Sequence, residues 1–296
     1  MIVLMEVIFI CSVLTIFGLI LGSFAGATVW RLRARQLVED KEAGEEYDKK
    51  EYKQLLPLTK ATTKSDRSRC LHCHHQLAWY DLLPLVSWIG LRGKCRYCHQ
   101  RIGHMEPLIE IGMALFFVGS YLLWPEALDS TLSIAQFVLW LVAGVLLAIL
   151  FVYDLKWFLL PNQAMFPLVG VGVIMAILHV ASAPDAVNAL FDLAGAVAIL
   201  SGLYYVLWKI SKGAWIGFGD VKLGLALALL LGQWQLAFFA LFTANLIGCL
   251  IVIPGMMSGK VTRTTRIPFG PLLILGTIIA WFAGPPIIQW YLSALF

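Results

Sequence analysis

The chain has 296 residues, 60% of them hydrophobic and only 14% charged. A soluble domain carries about a quarter charged residues, so the composition excludes an ordinary water-soluble enzyme and points to a polytopic membrane protein. The formal net charge of +4 follows from a one-sided bias among the loops and calls for no nucleic-acid partner.

The N-terminal stretch MIVLMEVIFICSVLTIFGLILGSFAGATVW lacks the basic n-region of a signal peptide, and its apolar run is too long for an h-region. It reads as a retained first span, residues 1–30. Apolar stretches of about 20 residues, enough to cross the hydrocarbon core, then place eight spans. They lie at roughly 5–30, 107–124, 131–152, 162–181, 186–208, 214–232, 236–256 and 268–292. Of the 22 Lys and Arg, 15 fall in 31–106. The other seven (Lys156, Lys209, Lys212, Lys222, Lys260, Arg263 and Arg266) lie in or beside loops that an eight-span topology puts on the same side. The positive-inside rule then makes 31–106 cytosolic and turns both termini outward. The expected fold is all-α: a first transmembrane helix, a cytosolic domain at 31–106, and a seven-helix membrane domain at 107–296.

The cytosolic insert has two parts. In the charged arm, 34–69, the stretch EDKEAGEEYDKKEYK has eleven charged residues in fifteen, with Glu45–Lys49 and Glu46–Lys50 at helical spacing. This predicts a solvated helix or a partly disordered arm, or a surface that recruits a partner. In the second part, 70–106, Cys70 and Cys73 form one C-x2-C knuckle and Cys95 and Cys98 another, with 21 residues between the pairs. Four thiolates so spaced close a tetrahedron around Zn²⁺, which predicts a zinc-ribbon-like insert. A redox pair is the alternative; a reducing cytosol argues against structural disulfides. His72, His74, His75 and His99 are near enough to substitute as ligands, but four sulfurs suffice.

Few acidic residues lie in or beside the spans: Glu6, Glu110, Asp154, Asp185, Asp192 and Asp220. Ionisable groups there are costly and are candidate functional residues. Glu6 can snorkel into the interface, and Asp185 is placed to cap a helix. Glu110 suits a supporting role. Asp154 ends the third span and Asp220, in WIGFGDVKLG, lies about six residues into the sixth, so both fall toward the cytosolic face. Two carboxylates in one site share a proton; the ionised one can activate water while the other donates to a carbonyl. Lys222 can bias that charge, and Gly217 and Gly219 allow an extended peptide to approach. A proton-coupled transport pair and simple helix caps remain open on these residues alone.

Several stretches, taken in order, resemble the prepilin peptidases, or type IV leader peptidases: polytopic aspartic proteases with a Gly-x-Gly-Asp motif. GSFAGATVWRL resembles the end of the family's first span, DLLPLVSWIGLRGKCRYC its cytosolic domain, and MEPLIEIGMALFF the segment after it. YDLKWFLLPN is similar to the first aspartate motif, GFGDVKLGLAL to the second, and IPFGPLLILG to the last-span signature. The resemblance implies that Asp154 and Asp220 are the catalytic pair of a bacterial inner-membrane endopeptidase. The implied substrates are type IV prepilin or pseudopilin proteins, cut between a basic cytosolic leader and a hydrophobic helix. It also implies N-methylation of the new N-terminus with S-adenosylmethionine, an activity associated with the Cys-bearing domain. The chain departs from the family pattern at Gly26 (commonly Asn), Arg33 (commonly Pro), Leu71 (usually Pro) and Asn162 (usually Asp), and its acidic insert is longer. The rival readings are a proton- or metal-coupled transporter, which would show a repeat of broken helices, and a scaffold docking partners through the Cys region.

Overall fold

The computed structural model describes residues 2–59, 67–125, 127–259, 262 and 267–295. Lys60, Lys64, Lys260, Arg263 and Arg266, which entered the topology reading, and most of the polar linker after Thr59 lie outside the described residues. The chain divides into two units, Met1–Leu122 and Leu123–Phe296.

The first unit is built on α1 (Ile2–Ala43) and α4 (Met105–Leu122). Gly18, Gly22 and Gly26 recur every four residues on α1 and so share one face. A Cβ at Gly18 would stand 2.6 Å from the Ala114 Cα, and one at Gly22 2.7 Å from the Glu110 Cα. The two backbones therefore touch, as small-residue seams permit in membrane helix pairs. α1 runs on without a break to Ala43, where Gly44 takes a left-handed φ of +74° and ends it. Residues 45–48 are not helical, so the helical pairing expected for Glu45–Lys49 and Glu46–Lys50 is not realised.

The charged arm instead folds back on α1. Asp48 caps α2 (Lys49–Leu55), accepting from the Lys50 and Glu51 N–H groups. Leu55 of α2 is buried with Ala34 and Leu37 of α1, flanked by Trp30, Tyr47, Tyr52 and Leu58. The Arg33 guanidinium grips the Glu51 carboxylate at 2.6 and 3.0 Å. The short α3 (Val86–Gly90) lies between the two Cys knuckles.

The second unit holds α5 (Thr131–Trp157), α6 (Asn162–Ser182), α7 (Ala186–Val197), a π-helical turn (Ala198–Gly202), α8 (Leu203–Ser211), α9 (Phe218–Leu231), α10 (Trp234–Met257) and α11 (Phe269–Leu295). Ser130 caps α5, and Asp185 caps α7 through the Val187 and Asn188 N–H groups. Phe158 ends α5 in the left-handed region, and Pro161 opens α6. The indole of Trp140 on α5 stacks on Trp281 of α11 at 4.4 Å.

Among the described residues, seven helices are long and apolar enough to cross a membrane, making this a multi-pass all-α membrane protein. The sixth span expected at 214–232 is instead a helix of 14 residues starting at Phe218, roughly 21 Å long at 1.5 Å per residue. Lys212 and Gly213, at φ of +51° and +82°, end α8, and extended Gly217 caps α9. Asp220 consequently stands in the first turn of its helix rather than about six residues in. α9 is apolar nearly all round and is buried along most of its length, consistent with a helix enclosed by others.

Gly224 shows how tightly α9 is enclosed. A Cβ there would run into the Leu200 carbonyl of the π-turn, and the Ser201 hydroxyl donates to the Val221 carbonyl at 3.0 Å. Gly224→Ala is expected to destabilise the second unit by about 1–3 kcal/mol, the cost of overpacking. Thermal unfolding in detergent, compared with wild type, measures it.

Candidate active site and metal site

Asp154 lies in the last turn of α5 and is only 6% exposed. Its carboxylate accepts the Gly270 backbone N–H at 3.1 Å. Gly270 is the second residue of α11, so this N–H is one of the helix-start donors that lack a partner within the helix. A side chain at 270 is impossible without movement, because its Cβ would stand 2.6 Å from the Asp154 Oδ2.

Asp220 is half-buried, and its N–H bonds the Gly217 carbonyl at 3.1 Å. Its Oδ2 lies beside Gly217, 3.6 Å from where a Cβ would be. The two carboxylates are close enough for the charge on one to act on the other. Each also faces the positive end of a helix: Asp154 that of α11, and Asp220 that of its own α9. Partial positive charge at those ends favours carboxylates. Two acids from distant segments, held near each other in an apolar bundle, suit water activation coupled to proton donation.

The expected supporting residues divide. Gly219 packs against Leu160 of the α5–α6 turn, whose side chain would be 3.2 Å from a Cβ at 219. The Lys222 ammonium turns to Asn162 Oδ1 at 2.5 Å, between the Phe166 and Phe218 rings. Glu110 acts within the first unit, where its buried carboxylate accepts the Leu85 N–H at 2.8 Å. Leu85 sits at φ +57°, so that bond holds a backbone conformation costly for a leucine. Gly270, which holds Asp154, is a residue that sequence reasoning did not single out. Gly270 lay inside IPFGPLLILG, and the signal was a glycine opening an apolar helix.

The four cysteines Cys70, Cys73, Cys95 and Cys98 converge, with all sulfurs within 4.8 Å of one another. The two knuckles are built alike. The Cys70 N–H bonds the His75 carbonyl and the Cys95 N–H that of Gln100. His74 and His99, each the fourth residue after the first Cys of its knuckle, take φ of +58° and +56°. Burial pushes the Cys70 thiol up to about 12, and a cation held among the sulfurs would oppose that by stabilising thiolates. Burial also works against the charged form of Asp81. The Arg96 guanidinium at 2.8 Å, the Ala78 N–H and the Tyr97 hydroxyl outweigh it and hold the carboxyl below its usual range. Asp81 thereby ties the segment between the knuckles to the second knuckle.

A cavity of about 220 Å³ lies beside the knuckles, lined by Trp30, Cys70, Trp88, Arg101, Glu106 and Glu110 among others. The Trp30 indole donates to Glu106 Oε1 at 3.2 Å, while Glu106 Oε2 is buried without a hydrogen-bond partner among the described residues.

Comparison with known proteins places these features. Residues 16–124 match the Bacterial Peptidase A24 N-terminal domain, and residues 140–253 match the Type IV leader peptidase family. The chain is 30% identical to the prepilin leader peptidase/N-methyltransferase of Aeromonas hydrophila, over 95% of this chain and 93% of the relative. It is 31% identical to the enzyme of the same name from Pseudomonas aeruginosa, over 96% and 93%. It is also 31% identical to the type 4 prepilin-like proteins leader peptide-processing enzyme of Escherichia coli, over 89% and 90%. No solved structure matches. Two domain models in order and full-length relatives agree, and the chain belongs to the type IV leader peptidase family.

Proposed function

We propose that the chain is a membrane aspartic endopeptidase that removes the leader from type IV prepilin-like proteins, with Asp154 and Asp220 as its catalytic pair. The observation that carries this reading is that two carboxylates from distant segments lie within electrostatic range of each other, one of them fixed by the Gly270 N–H. The ionised member takes a proton from water, whose oxygen adds to the scissile carbonyl. The protonated member donates to the carbonyl oxygen, and collapse of the adduct passes a proton to the departing amine. Gly217, extended and exposed at the start of α9, leaves room for a substrate backbone beside Asp220. Lys222 supports the site indirectly, by bonding α9 to the start of α6 through Asn162.

With the short α9 counted as an eighth crossing, the Lys and Arg bias among the loops supports an orientation in the cytoplasmic membrane with residues 31–106 cytosolic and both termini outside. In that orientation a basic leader would remain on the cytosolic side. A coupled transporter would place its ionisable groups near the bilayer midplane, and both aspartates instead sit at helix ends.

The converged sulfurs of Cys70, Cys73, Cys95 and Cys98 suit a structural Zn²⁺. The adjacent cavity suits S-adenosylmethionine, whose sulfonium charge answers the unpaired Glu106 oxygen. Trp30 and Trp88 line the cavity with aromatic rings, and Glu110 lines it too. When bound, the donor supplies the methyl group for the new N-terminal amine. The proposed division of labour gives proteolysis to the helices that carry Asp154 and Asp220, and methyl transfer to the Cys-bearing domain at 31–106 with the residues of α1 and α4 that line its cavity.

Leader removal from a reconstituted prepilin tests the dyad. Asp154→Asn and Asp220→Asn should each lower cleavage by about a thousandfold or more, and near-normal cleavage in either would sink the assignment. Metal analysis of the purified protein should find about one zinc ion per chain, lost in a Cys70→Ser/Cys95→Ser variant. For the methyl donor, equilibrium binding of labelled S-adenosylmethionine should weaken about tenfold or more in Glu106→Gln, as expected for losing a hydrogen-bonded charge. Leader cleavage by that variant should be unchanged.

A further inference from the structure

Tyr204 is a buried titratable side chain near the aspartates that this mechanism leaves unused. It is 4% exposed, and its buried hydroxyl has no hydrogen-bond partner among the described residues. A lone buried hydroxyl costs desolvation free energy that a phenylalanine would not incur. The ring alone gives no reason for the oxygen, since it packs on another ring, that of Phe269, at 5.7 Å.

Its surroundings are those of the dyad. Phe269 directly precedes Gly270, whose N–H holds Asp154. Asp220 is near enough for its charge to act on the phenol. The backbone delivering Tyr204 is also specified. The π-turn Ala198–Gly202 shifts the helical register just before Leu203, and such turns recur at functional sites. That turn is fixed to α9 one residue past Asp220, through the Ser201 hydroxyl and the Val221 carbonyl, and again where Gly224 meets the Leu200 carbonyl.

We propose that Tyr204 is a positioning residue for the Asp220 side of the site: in the loaded enzyme its hydroxyl donates to the Asp220 carboxylate and holds it toward the attacking water. Its unpartnered state fits a donor whose acceptor comes into line only when substrate orders the first turn of α9, because hydrogen bonds in an empty site are often long or misaligned. This inference rests on the assignment of Asp220 to the catalytic pair.

Tyr204→Phe tests it, with initial rates of leader cleavage measured across prepilin concentrations in proteoliposomes. Loss of one hydrogen bond to a charged group should lower kcat about 10- to 100-fold. KM should stay within about twofold, and the melting temperature should be unchanged or higher because an unpaired buried hydroxyl is gone. Asp220→Asn combined with Tyr204→Phe should be no slower than Asp220→Asn alone, since the tyrosine acts through that carboxylate. A kcat within about twofold of wild type, a fall accompanied by a lower melting temperature, or additive losses in the double variant would each overturn the proposal. If Asp220→Asn itself cleaves normally, the catalytic assignment fails and the inference falls with it. If Asp220→Asn is inactive while Tyr204→Phe behaves as wild type, only the inference falls.

Discussion

The bond from the Gly270 N–H to Asp154 is the contact on which the burial of that carboxylate depends. A carboxylate buried among apolar helices loses its water, and the loss is tolerable only where donors replace it. α11 offers such a donor at no cost to its own hydrogen bonding, since the first N–H groups of a helix have no partner inside it. The same helix end adds partial positive charge. Absence of a side chain at 270 is therefore the condition for the bond: with a Cβ there, the carboxylate would be pushed away from both the donor and the dipole.

Asp220 obeys the same electrostatics by another route. The break at Lys212–Gly217 shortens α9 and brings Asp220 into its first turn, where the helix's own N-terminus favours negative charge. Depth in the membrane is thus not what tolerates either acid; helix ends are. Close backbone contacts then set how precisely the two ends meet. Gly224 against the Leu200 carbonyl fixes α9 to the π-turn, and Gly276 against the Ala240 carbonyl fixes α11 to α10. At both places the backbones are too near for any side chain, so the helix spacing has little freedom to vary.

Much of this was legible in the sequence because it rests on short-range chemistry. Two C-x2-C pairs at this spacing pointed to a four-sulfur cluster ahead of a redox pair, and acids in apolar runs announce themselves by their cost. Hydrophobic length found the spans, but it could not see that residues 212–217 leave the helix, because Lys212 and Ala214–Ile216 are individually compatible with one. The fate of Lys222 was equally hidden. Sequence proximity to Asp220 suggested a charge partner, whereas a lysine two residues along a helix points elsewhere, and Asn162, sixty positions away, receives it. Gly270 was missed because its role is defined by what stands opposite it, and the residue type alone does not carry that information.

The charged arm shows how a departure from the family pattern can be structural in origin. Where the family commonly has proline, this chain has Arg33, in the interior of α1. A proline there would remove a helical hydrogen bond and cost about 3 kcal/mol, bending or ending the helix near the membrane face. Arg33 lets α1 continue to Ala43 and then binds Glu51 of the returning α2. Leu55 closes the small core between them on Ala34 and Leu37. The longer acidic insert and the arginine therefore require each other. Without the continued helix α2 would have no apolar surface to cover, and without Glu51 the half-buried guanidinium would lose a charged partner. The eleven charges of this stretch thus decorate a folded helical hairpin rather than a free tether, and the side facing α1 is apolar because the hairpin needs it to be.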